Sequence, residues 1–146
     1  MAVQLFLGGA RAGKRDAVAA RWPGARWQPL TLGETLADWA ARVPPVVQDK
    51  PAVLHGVLPW LEDALAQSDD DDALRRQWQA ALAALDARFH AAPLIIIGHE
   101  IGRGIVPVAR LERRLRDMNG WFNQDVAASA ERVWLVRHGL VMALKG

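Results

Sequence analysis

The sequence contains no cysteine and no tyrosine, and it has no long hydrophobic run. Without cysteine there is no disulfide frame, no thiolate metal site and no cysteine nucleophile, and a reducing, cytoplasmic location is expected. No apolar stretch approaches the roughly 18 residues of a helical membrane span. The first residues lack the basic region, apolar core and small-residue cleavage site of a signal peptide. A soluble protein with no membrane span is therefore expected. Charge of one sign is also lacking: 18 Lys and Arg stand against 16 Asp and Glu, and no window is densely basic. Nucleic acid is not an expected partner on that balance, which leaves small anionic ligands open.

What is present points to one core. A chain of 146 residues with 51% hydrophobic content is the size of a single domain, here taken as residues 1–146. Its seven tryptophans are spread along the chain rather than clustered. Packing in a core or interface is the first reading of such large apolar rings, and stacking on a base is the second.

Hydrophobic patterning predicts alternating strands and helices. Residues 3–7 form an apolar run that ends in glycines, and residues 14–21 continue as a helix halted by Pro23 and Gly24. Residues 27–30 and 52–54 read as strands, and residues 32–43, 59–66 and 73–89 as helices. The four aspartates at 69–72 precede the last of these helices. They are read as a capped, solvated helix start, with a cation site as the alternative. Residues 94–97 form another apolar strand before a glycine-rich loop. A helix then carries Leu111, Leu115, Met118, Phe122 and Val126 on one face, and residues 133–136 and 140–144 close the chain as a hairpin. Together these predict an α/β fold of the P-loop NTPase type, with a largely parallel sheet flanked by helices and a C-terminal β-hairpin.

The segment "LFLGGARAGKR" carries the chemistry. In a P-loop, glycines let backbone N–H groups wrap phosphates, a lysine reaches the outer phosphates, and a helix N-terminus adds partial positive charge. Gly8, Gly9, Ala10, Arg11, Ala12, Gly13, Lys14 and Arg15 supply that spacing between a strand and a helix, and are the expected nucleotide-binding residues. Arg15 stands where such loops carry the Ser or Thr whose hydroxyl holds Mg²⁺, and a guanidinium offers donors only. The residues at the end of the third strand read "AVLHG", which puts His55 where an acidic metal anchor is usual. Imidazole is a poor ligand for a hard cation. Mg²⁺ held in the usual way is therefore not expected, and no metal ligands are assigned. His55 stands open between a structural residue and a base or ligand for another group. Arg15 is a candidate to contact phosphate directly.

The second half carries a longer signature: "EIGRGIVP" (100–107), "RDMNGWFNQ" (116–124) and the ending "VWLV…G". These stretches, with "GGARAGK" and "VLHGVLPWLEDAL", closely resemble the adenosylcobinamide kinase/adenosylcobinamide-phosphate guanylyltransferase family of cobalamin biosynthesis. The resemblance spans nearly the whole chain and is weakest between Trp22 and Ala52. It implies a P-loop α/β protein, often a trimer, that phosphorylates the aminopropanol hydroxyl of a cobinamide-type corrinoid. ATP or GTP is the implied nucleotide. The family then attaches GMP through a guanylylated histidine that lies between the P-loop and the acidic strand end. Here the first histidine of the chain is His55, so guanylyl transfer by that route is not expected.

On this reading Lys14 is a catalytic candidate, holding phosphates. Glu100 is the second, as base or Mg²⁺ holder, with a loop glutamate that fixes backbone N–H groups as the alternative. Gly102 and Gly104 are expected to serve the loop's turn. Arg110, Arg113, Arg114 and Arg116 are read first as a solvated helix face and second as phosphate contacts. Asp117, Asn123 and Gln124 match the family motif and are candidates for site or subunit contacts, while His90 and His138 receive no role. Three functions stand open: an enzyme of cobalamin nucleotide-loop assembly, a catalytically degenerate paralogue that binds nucleotide or corrinoid or acts as a regulatory or partner subunit, and a P-loop phosphotransferase for another substrate.

Overall fold

β1 (Val3–Gly8) is buried along most of its length, as a strand with neighbours on both edges and side chains packed on both faces must be. The computed structural model describes residues 3–45, 49–90, 92–101 and 109–146. After β1 come α1 (Lys14–Arg21), β2 (Arg26–Pro29), α2 (Leu36–Arg42), β3 (Ala52–His55), α3 (Val57–Gln67) and α4 (Asp71–Arg88). Then follow β4 (Leu94–His99), α5 (Arg110–Ser129), β5 (Arg132–Arg137) and β6 (Leu140–Lys145). The strands form one six-stranded sheet in the order β2-β3-β4-β1-β5-β6. All pairs are parallel except the β5–β6 hairpin. The α/β class, the largely parallel sheet and the C-terminal hairpin are as the patterning predicts.

Successive residues of the central strands serve opposite faces. Leu5, Leu54, Leu94 and Ile96 join the larger core with Trp39, Trp60, Trp78 and Phe122 from α2, α3, α4 and α5. Phe6, Val53, Ile95 and Ile97 join a smaller one with Ala17 and Val18 from α1. This two-sided burial explains why these strands read as continuous apolar runs. Several tryptophans pack and also use their N–H: Trp39 donates to Gln28 O at 3.0 Å and Trp60 to Glu34 O at 2.7 Å. The packing reading holds for these rings.

Element starts differ from the pattern for local reasons. α2 begins at Leu36, not at 32, because Gly33 has φ 84° and Thr35 with Asp38 builds a capping box. α3 begins at Val57 behind Gly56 (φ 79°), and Pro59 falls in its first turn, where a missing N–H costs nothing. β4 runs on to His99 because it pairs in register with β1 up to Gly8.

The solvated reading of the aspartate run and of the α5 arginines holds for Asp69, Asp70, Asp72, Arg110 and Arg113, which are exposed, and fails for Asp71 and Arg114. Asp70 caps α4 by accepting from Ala73 N at 3.0 Å, as expected. Asp71 instead pairs with Arg114 Nη2 at 2.6 Å, and Arg114 also donates from Nη1 to Leu65 O at 2.9 Å and from Nη2 to Ser68 O. Arg114 is buried and bolts α5 to the α3–α4 connection. Arg110 reaches Asp69 at 3.1 Å, an exposed pair.

Removing Arg114 strands two carbonyls and a carboxylate. Arg114→Met is expected to cost about 2 kcal/mol, the scale of hydrogen bonds to a charged group. Thermal unfolding should read this as a fall in Tm of roughly 4–8 °C. An unchanged Tm would show that the pair does not hold the helices.

Candidate functional site

The C-terminal ends of β3, β4 and β1 lie side by side at one rim of the sheet. That rim is where open α/β sheets form their ligand crevice. The loop from β1 to α1 crosses it, and its backbone is held from two sides. At Gly8 an added Cβ would sit 2.6 Å from Val136 O, so no side chain fits. Gly13, the residue before α1, has φ 95°, which favours glycine. The turn of the β5–β6 hairpin braces the loop, with Gly139 N donating to Ala12 O at 2.9 Å.

Lys14 opens α1 and turns back over the loop. Its Nζ donates to Gly8 O and Gly9 O, both at 2.8 Å, and lies 3.2 Å from His99 Nδ1. An ammonium only donates, so Nδ1 accepts and His99 is neutral. Burial lowers the Lys14 pKa, and the Glu100 carboxylate opposes that shift. Burial, then Lys14, lowers the pKa of His99. The end of β4 is fixed in turn: Glu100 N donates to Gly8 O at 2.9 Å, while His99 O accepts from Asn119 at 2.6 Å and Asn123 at 3.1 Å.

Arg15 and His55, forty residues apart, meet. Arg15 Nη2 lies 2.9 Å from His55 Nδ1, with its guanidinium 5.3 Å from the Trp27 ring centre. The Trp27 and His55 rings meet edge to face at 5.7 Å. Because a guanidinium has donors only, Nδ1 is again the acceptor and His55 is neutral. Burial first and Arg15 second lower its pKa. Its Nε2 is buried and has no hydrogen-bond partner among the described residues.

A cavity of about 470 Å³ opens over this arrangement, lined by residues 10–16, His55, the start of α3, Ile97 and His99. Backbone N–H groups of the first turn of α1 have no helical acceptor there. With Arg11, Lys14 and Arg15 on its wall and Asp16 as its one acid, the cavity is suited to a polyanion.

The fold thus brings together residues 8–15, His55 and His99. Glu100 lies within electrostatic reach of Lys14 but lines a second cavity of about 400 Å³ across the loop, with Arg11, Arg137 and His138. Asn123 supports the site through His99 O, whereas Asp117 and Gln124 are exposed on α5. Arg114 is spent on Asp71 and does not reach the cavity. Gly102 and Gly104 lie outside the described residues. Asn119, which pattern reading passed over, is buried, and its signal was a polar residue four from Leu115 on an apolar face.

Residues 18–144 match the family described as cobinamide kinase / cobinamide phosphate guanyltransferase. The match begins within α1, so the loop itself precedes it. The chain is similar to the bifunctional adenosylcobalamin biosynthesis protein CobU of Escherichia coli (strain K12), 37% identical over 78 residues, 52% of this chain and 43% of that one. It is similar to the protein of the same description from Salmonella typhimurium, 44% identical over 54 residues, 37% of this chain and 30% of that one. The CobP protein of Pseudomonas aeruginosa, also described as a bifunctional adenosylcobalamin biosynthesis protein, is 37% identical over 87 residues, 60% of this chain and 49% of that one. The chain spans less than half the length of each of these relatives in the matched stretches. With α2 through α5, β2 through β5 and all but the last residue of β6 inside the matched residues, the chain belongs to the cobinamide kinase/cobinamide phosphate guanyltransferase family.

Proposed function

We propose that this chain acts in cobalamin biosynthesis, at the assembly of the nucleotide loop, as a cobinamide-kinase-type protein. Its loop 8–15 would hold the phosphates of ATP or GTP. The carrying observation is the cavity over that loop, where Lys14, the first turn of α1 and Arg15 converge on one space. Family membership supports the corrinoid as the second substrate. Lys14 serves as the phosphate-holding residue. Glu100, on the far side of the loop, would act through its field on Lys14 or on a corrinoid hydroxyl presented from the second cavity. A cytoplasmic location goes with this reading, and among the described residues no helix is long and apolar enough to cross a membrane. Homo-oligomer formation, with a trimer as the form the resemblance implies, is part of it. Exposed Leu140, Met142 and Leu144 along one side of the edge strand β6 support such contacts.

A second reading has its own support. No histidine lies between Lys14 and Leu54, and His55 ends β3 in place of an acid. On that reading the chain binds nucleotide or corrinoid without turnover, as a regulatory or partner subunit.

Calorimetric titration of ATP and GTP into the wild type and Lys14→Ala tests the first reading. Lys14→Ala should weaken binding by at least about tenfold, the equivalent of one lost charge-assisted contact of about 1.4 kcal/mol. Equal binding by the two proteins would show that nucleotide does not sit on this loop. Transfer of the γ-phosphoryl group to adenosylcobinamide, followed by chromatography, then separates the enzyme from the binding protein. No GMP adduct stable to denaturation is expected after incubation with GTP.

A further inference from the structure

The site as built does not suit a divalent cation. Of the side chains facing the 470 Å³ cavity, Lys14 and Arg15 are donors only, and His55 and His99 have Nδ1 engaged with those two cations. The only carboxylate on the wall is Asp16, which is exposed. Among the described residues no group of three His, Asp or Glu side chains could hold a metal ion. A hard cation with a strong preference for several oxygen ligands finds one here, beside two fixed positive charges.

The same contacts place the guanidinium of Arg15, an exposed residue, at the cavity wall. Arg15 is fixed at one end by His55 Nδ1 at 2.9 Å and on its face by Trp27 at 5.3 Å. The imidazole takes one N–H of the planar fork, and the remaining donors have no hydrogen-bond partner among the described residues. The two departures from the usual pattern, one in the loop and one at the end of β3, are therefore coupled. A histidine accepts from the arginine, where an aspartate in its place would neutralise it.

We propose that Arg15, positioned by His55 and Trp27, takes the place of the divalent cation, so that this chain binds a nucleoside polyphosphate in its metal-free form. The proposal rests on the reading of loop 8–15 as the nucleotide site. A metal-free polyphosphate carries more negative charge than its Mg²⁺ complex. It meets Lys14, Arg15 and the N–H groups of the first turn of α1, which supply positive charge without any ion. His55 is a positioning residue here, accepting from Arg15 through Nδ1.

The test is titration of ATP and of GTP into the folded full chain, once in excess EDTA and once in excess Mg²⁺. The proteins are the wild type, Lys14→Ala, Arg15→Ser and Arg15→Ser/His55→Asp, with thermal unfolding to establish that each is folded. The wild type is expected to bind in EDTA within about threefold of its affinity in Mg²⁺, or more tightly. Arg15→Ser should lose at least about tenfold in EDTA, the loss of a charge-assisted fork. The double variant should regain a preference for Mg²⁺ of about tenfold, since hydroxyl and carboxylate together suit that ion. Wild-type binding more than about threefold tighter in Mg²⁺, or EDTA binding reduced less than about tenfold by Arg15→Ser, would overturn the proposal. If Lys14→Ala binds as the wild type does, or if the wild type binds in neither buffer, the nucleotide-site reading itself fails and the inference goes with it.

Discussion

The in-register parallel pairing of β1 with β4, from Val3 against Leu94 to Gly8 against His99, is the constraint on which the rest of the molecule depends. It ends both strands at the same level, so that Gly8 O can accept from Glu100 N and Lys14 Nζ can bridge the loop carbonyls to His99. It also sets the path of α1. Because β2 lies at the far edge, beyond β4 and β3, the chain leaving β1 must cross both of those strands to reach it. Arg15, in the first turn of that crossing helix, is thereby carried over the end of β3 and onto His55. A one-residue slip of β1 against β4 would exchange Leu5 and Phe6 between the two cores and dismantle the site at once.

The second layer of support comes from elements remote in sequence. α5 pins the carbonyl of His99 through Asn119 and Asn123, and the β5–β6 turn pins Ala12 O through Gly139 N. α5 is in turn fixed by Arg114 to the start of α4, and Asp125 accepts from Arg75 and Trp78. The Arg114 and Asp125 contacts fix α5 against its neighbours at a definite geometry, which supports the Asn119 and Asn123 amides where they meet His99 O.

Much of the fold was legible because a parallel sheet covered on both faces imposes continuous apolar strands, and residues 3–7, 52–54 and 94–97 carry them plainly. The strand–loop–helix around Lys14 was legible for the same reason. What patterning missed depends on contacts between distant segments. Arg114 has the composition of a solvated helix face, and only the packing of α5 on the α3–α4 connection turns it inward. Gly33 broke a helix that the apolar spacing alone would have begun at residue 32. Arg15 and His55 each stood out as a departure from a motif, but the order of the strands was needed to show that they touch.

The central claim is that the loop holds phosphate through Lys14 and a guanidinium set by His55. A crystal structure of the chain with a non-hydrolysable GTP analogue, grown in the presence of Mg²⁺, tests it most directly. The account predicts phosphate oxygens within hydrogen-bonding distance of Lys14 Nζ and the Arg15 guanidinium, with Arg15 still bonded to His55 Nδ1. A metal ion between the phosphates and His55, with Arg15 swung out to solvent, would contradict it, as would phosphates bound away from the loop.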